Sequence, residues 1–346
     1  MPTTRTGRRS SSRTSPPSTS PRSTSCSSRR NRTSSRSDAS DARGGSEALG
    51  EAGEQTPGGG PARTPASARA RKEVGGRDLP VAITVGVLLA GVFLGSLFWH
   101  PIAFATVVAV LTALVYVESG RVLRGVGVHV EVPVLVVSTL VMLFGAYQAS
   151  HLGQGVGVVV LVLGGVLWVL ADPQRHDVVA TLATTSLLGL WVGFLASFAV
   201  LLVNRPDDGV LVVLGVVGTA IFTDIGGYAF GVALGRHKVA PSVSPNKTWE
   251  GLLGGLAFAT IAAALVLPLL GDAFTATSAA VLALVCGLAG FLGDLVESMV
   301  KRDLGVKDLG DLLPGHGGVL DRVDGILFAL PVGYFAVELL TRSTPG

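Results

Sequence analysis

Cysteine is nearly absent from this 346-residue chain. Cys26 stands in a Ser/Arg-rich stretch and Cys286 in an apolar run, so no disulfide framework and no cysteine metal site is available. Charged residues are also scarce, at 15% against 48% hydrophobic, and the mean hydropathy is +0.55. Aromatics make up only 6%. With Gly, Ala and Val abundant instead, the composition fits helices packed closely in lipid, where small residues let backbones approach. Large apolar residues are almost missing from one region alone, residues 1–78, which are rich in Ser, Thr, Arg, Pro and Gly. That region cannot bury a core, and we expect it to be a disordered tail. Nine arginines precede its first acidic residue, Asp38. A plain extension, an arm for anionic lipid and a transit-type segment all fit this composition. The lack of an apolar h-region argues against a cleaved secretory signal. The tail supplies most of the net charge of +3 and the pI near 9.1, which are therefore no argument for nucleic-acid binding.

What the remainder does contain is a succession of long apolar runs, at about 79–99, 101–117, 132–148, 153–171, 179–203, 209–235, 250–270, 277–298 and 323–341. Lipid leaves the backbone no outside partner, so each run reads as a helix. The fold class expected is all-α: a polytopic membrane protein of about nine spans. It divides into the tail (1–78), N-terminal spans (79–208) and a C-terminal catalytic region (209–346). The loops at 118–131, 172–178, 236–249 and 299–322 carry most of the basic residues outside the tail, whereas the alternate loops contain only Arg205. By the positive-inside rule the basic loops and the N-terminus face the cytoplasm. A composition rich in Gly, Ala, Val and Arg suits a bacterium with GC-rich DNA, and so the inner membrane.

The segment Asp294–Asp324 is the most densely charged of this oily part. Asp294, Glu297, Ser298 and Lys301 fall at i, i+3, i+4 and i+7, so a helix would stack them on one face. An ionised carboxylate at the edge of an apolar run is costly unless it is paired or bound to a metal. Carboxylates suit Mg²⁺, and Lys and Arg suit phosphate oxygens. The combination points to a metal-dependent site for a phosphorylated substrate rather than to a merely solvated loop. A second cluster precedes it, with Asp224 deep in an apolar run and Ser244-Pro245-Asn246-Lys247-Thr248-Trp249-Glu250 reading as a turn and then a helix start. Amides at a helix start beside a lysine can hold phosphate; Trp249 also fits an interfacial anchor.

The run Ser298-x-Val300-Lys301-Arg302, then Lys307-Asp308-x-Gly310, then Leu313-Pro314-x-His316-Gly317-Gly318-Val319-x-Asp321-Arg322-Val323-Asp324 resembles the signature of phosphatidate cytidylyltransferases, without departure at any specified position. With the second cluster, the resemblance covers roughly residues 209–330. It implies transfer of a cytidylyl group from CTP to phosphatidate, giving CDP-diacylglycerol and pyrophosphate. Asp294 and Asp321 match the family's metal-binding aspartates and would hold Mg²⁺, a second ion being compatible with such a clamp. Asp224, Asp308 and Asp324 could complete or orient that shell. Lys301, Arg302, Lys307 and Arg322 would hold the triphosphate and the lipid phosphate, with Ser244, Asn246, Lys247 and Thr248 as further substrate contacts. His316 would either donate a hydrogen bond to a phosphate oxygen or order the glycine turn. The partners implied are CTP, phosphatidate and membrane lipid, and the chain is compatible with a homodimer. Two other readings compete. A CTP-dependent lipid-alcohol kinase would need a base for a neutral hydroxyl, and an ion-coupled transporter would be expected to show paired broken helices in internal repeats, which are missing. The Asp-Gly-x-x-Ala-Arg motif of CDP-alcohol phosphotransferases is missing too.

Overall fold

The structure is a computed structural model, and it describes residues 79–148, 151–173, 177–310, 312 and 317–343. The expected tail therefore lies outside the described residues, as does His316. The helices are α1 (Leu79–Trp99), α2 (Pro101–Gly125), α3 (Val132–Tyr147), α4 (His151–Ala171), α5 (Val178–Val203), α6 (Gly209–Leu234), α7 (Trp249–Leu270), α8 (Ala276–Asp303) and α9 (Leu320–Ser343). Within α5, Gly189–Phe194 form a π-helical turn. Seven of these helices are long and apolar enough to cross a membrane, while α3 and the apolar part of α1 are shorter. The protein is a multi-pass membrane protein built of helices, as its apolar runs predict.

Local chemistry sets the helix ends. His100 caps α2 by accepting from Ile102 N at 3.1 Å, and Pro101 opens the helix where its missing N–H costs nothing. Thr275 and Ser278 form a reciprocal capping box at the start of α8. Between α6 and α7 the chain makes a small antiparallel hairpin, β1 (Lys238–Ala240) and β2 (Ser244–Thr248), with Lys238 opposite Thr248. The sequence reading as a turn before a helix is thus half right: Ser244–Thr248 is extended strand, and the helix begins at Trp249. Glu250 closes the base of this hairpin, accepting from Arg236 N at 3.1 Å and from His237 Nδ1 at 2.6 Å.

Contacts at opposite helix ends define two rims. At one, Arg205 pairs with Asp208 at 3.0 Å and with Glu338, near the end of α9, at 2.8 Å. The Asn204 side-chain amide donates to Tyr147 O at the same rim. The hairpin, the end of α8 and the start of α9 gather at the other rim, where Arg302 Nε donates to Val243 O at 3.2 Å.

In the C-terminal half α6 and α7 cross at glycine. A Cβ on Gly255 would sit 2.5 Å from Thr223 O and 2.8 Å from Gly227 N, both backbone atoms that cannot step aside. Gly255→Ala gains helix propensity of about 1 kcal/mol, yet forcing backbones apart costs about 1–3 kcal/mol. The clash should win. The variant is expected to unfold at a lower temperature in detergent than wild type, and an unchanged midpoint would contradict this packing.

Candidate active site

α8 carries the site because its helical period stacks the polar residues that its apolar stretch cannot hide elsewhere. Ser298 Oγ donates to Asp294 Oδ1 at 3.3 Å, and Lys301 Nζ donates to Glu297 Oε2 at 2.8 Å. Both are i,i+4 contacts on one face, as the spacing predicts. Lys301 and Arg302 lie in the last turn of α8 and Asp321 in the first turn of α9, each with the charge that the helix dipole favours there.

Three carboxylates converge. Asp294 and Glu297 on α8 and Asp324 on α9 each place an oxygen within 4.8 Å of the others. Glu297 is 1% exposed, and its Oε1 is met by no hydrogen-bond donor among the described residues. A buried acceptor left like that is expensive unless a proton or cation serves it. The donor set is entirely oxygen, the preference of a hard divalent ion. Lys247, on β2, reaches Asp294 in an ion pair and lies 4.5 Å over the Phe291 ring. Asp224 on α6 is exposed and within electrostatic reach of Asp294 and Lys247.

Asp321 lies one lysine away from this trio. Its Oδ1 accepts from Lys301 Nζ at 2.6 Å, and its Oδ2 accepts from Gly318 N at 3.1 Å and Leu309 N at 3.3 Å. Lys301 therefore bridges Glu297 and Asp321 in a side-chain network that is 15% exposed at the lysine and 1% and 6% at the acids. Lys307 and Asp308 are exposed in the loop after α8, with Asp308 beside Gly317, which holds a positive φ of 83°. Arg302 and Arg322 are exposed at the same rim. Of the hairpin residues, Thr248 is buried and caps α7 through Gly251 N at 3.1 Å, while Asn246 is exposed and Ser244 half-buried.

Sequence reasoning did not assign Glu297 to the metal group, although its place in the i, i+3 stack carried the signal. It passed over Glu118 entirely. Glu118 sits on α2, and it accepts from Leu312 N and Val319 N in the loop leading to α9.

The Cytidylyltransferase family profile matches residues 80–340. The chain belongs to the cytidylyltransferase family. Among individual members of that family, it is 37% identical over 282 residues to the phosphatidate cytidylyltransferase of Mycobacterium leprae, covering 77% of this chain and 89% of that one. The phosphatidate cytidylyltransferase of Synechocystis is 32% identical over 292 residues, or 75% of this chain and 96% of its own length. That of Brucella suis is 44% identical over a shorter stretch of 144 residues, 42% of this chain and 53% of its own. The family match begins within α1, so in this cytidylyltransferase it covers the N-terminal helices as well as the signature half.

Proposed function

We propose that this cytidylyltransferase moves the cytidylyl group of CTP onto phosphatidate, releasing pyrophosphate and leaving CDP-diacylglycerol in the membrane. The observation that carries the reading is the meeting, at one rim of a membrane helix bundle, of Asp294, Glu297 and Asp324 with Lys247 and Lys301. In the reaction a phosphate oxygen of phosphatidate bonds to the α-phosphorus of CTP, and the bond from that phosphorus to the departing pyrophosphate oxygen breaks. The nucleophile is already anionic near neutral pH, so no strong base is called for. Two mutually repelling anions must be neutralised and aligned, which is positioning and electrostatics.

Asp294, Glu297 and Asp324 fit a divalent cation such as Mg²⁺ by their oxygen donors and by the unserved Glu297 Oε1. Such an ion would offset phosphate charge and line up the reacting oxygens. Asp321, which the family signature pairs with Asp294, would join them once an incoming triphosphate drew Lys301 away from Oδ1. Lys247, Lys301, Arg302, Lys307, Arg322 and His316 would hold phosphate oxygens, with Ser244 and Asn246 near the nucleotide. Asp224 is exposed among exposed Phe222, Ile225 and Tyr228 on α6. That supports a side entrance through which the headgroup reaches the acids while the acyl chains stay in the bilayer. The basic rim would face the cytoplasm, in the inner membrane of a bacterium.

Membranes carrying the protein, given phosphatidate, Mg²⁺ and CTP labelled at either the α- or the γ-phosphate, test this. Label from the α-phosphate is expected in the lipid phase. Label from the γ-phosphate alone would mean a kinase, and no lipid label at all would leave the transporter reading.

A further inference from the structure

Glu118 lies in α2, far in sequence from the signature, and is 4% exposed. Among the described residues no lysine or arginine pairs with it. Instead its Oε1 accepts from Leu312 N at 2.6 Å and its Oε2 accepts from Val319 N at 2.8 Å. These are short, charge-assisted bonds, which offset the cost of burying an ionised group. One carboxylate thus holds the Leu312 and Val319 amides together. The fit is close: a Cβ on Gly310 would run into the Glu118 carboxylate, so the loop backbone is pressed against it. From the other side Asp321 Oδ2 takes Leu309 N and Gly318 N. The amides of Leu309, Leu312, Gly318 and Val319 are thus shared between two carboxylates, and the second of them belongs to the site.

We infer that Glu118 is a positioning residue: from α2 it clamps the loop against Asp321, and through that loop it sets where Asp321, Lys301 and Lys307 stand for the phosphates. It touches no substrate itself. The bonds are to backbone N–H groups, so the clamp works whatever side chains the loop carries. This inference rests on the proposed transfer only for its kinetic readout.

The test uses the full-length protein in detergent–lipid micelles, comparing wild type with Glu118→Gln and Glu118→Asp. Gln keeps the shape of Glu but turns an NH₂ toward one of the two amides, leaving one bond unmade. Glu118→Gln is expected to lose about tenfold in kcat, from one lost charge-assisted bond. Hydrogen exchange at the Leu312 and Val319 amides should accelerate, while the thermal midpoint of the bundle stays near that of wild type. Glu118→Asp retains both acceptor oxygens and should recover part of the lost kcat. Unchanged exchange at those two amides in Glu118→Gln would overturn the clamp. A kcat that falls only in proportion to the amount of folded protein would reduce Glu118 to a structural group and overturn it equally. Exchange is read without substrate, so a wild type inactive on CTP and phosphatidate would sink the proposed reaction and still leave this test to decide.

Discussion

Asp294→Asn is expected to lower CDP-lipid formation by about a hundredfold or more, the scale seen when one preorganised electrostatic group is removed from a reacting centre. The substitution keeps the volume and the Ser298 contact but removes the charge that faces Glu297, Asp324 and Lys247. Membrane insertion and the elution profile should match wild type, because the Asp294 side chain is partly exposed rather than sealed in the core. A ligand that binds only the folded state raises its stability by mass action. Millimolar Mg²⁺ is therefore expected to raise the melting midpoint of wild type and to do so far less for Asp294→Asn or Glu297→Gln. Chelation of divalent ions should silence wild type as thoroughly as either substitution. Full turnover by Asp294→Asn, or by the chelated enzyme, would remove the metal assignment.

The helices were legible because lipid demands uninterrupted apolar length, and hydropathy reports that length directly. What hydropathy reports poorly is where a helix ends once its residues turn polar. The run read as 101–117 continues to Gly125, carrying Glu118 on a helical turn instead of in a loop. The run read as 277–298 continues to Asp303, and α9 starts at Leu320, so that Lys301 and Asp321 both stand on helices facing each other. The one-face stack of Asp294, Glu297, Ser298 and Lys301 followed from local period alone. The choice between Asp321 and Asp324 did not. They lie a single turn apart, and which of them meets the α8 acids depends on how α9 is rotated against α8, a tertiary matter to which Gly290 and Gly325, packed backbone to backbone, contribute. The strand at Ser244–Thr248 was equally hidden, since its pairing is only across its own short hairpin and it shows no alternating apolar pattern.

Lys301→Met is expected to be the most destabilising of the site substitutions. Lys301 is the single cation bonded to both Glu297 and Asp321 among the described residues, and both acids are almost wholly buried. Deleting one member of a buried ion pair costs about 3–5 kcal/mol, because the partner is left charged and unsolvated. Here two partners are left, next to Asp324, which already crowds Glu297. Folded yield and melting midpoint should both drop. The triple variant Lys301→Met, Glu297→Gln, Asp321→Asn removes the stranded charges as well as the lysine, and it should regain much of the lost stability while remaining inactive. That separation distinguishes a lysine that merely fills space from one that balances charge. If Lys301→Met melted like wild type, the bridge would be contributing nothing to the fold. Restored stability together with restored transfer in the triple variant would show that catalysis does not depend on this network.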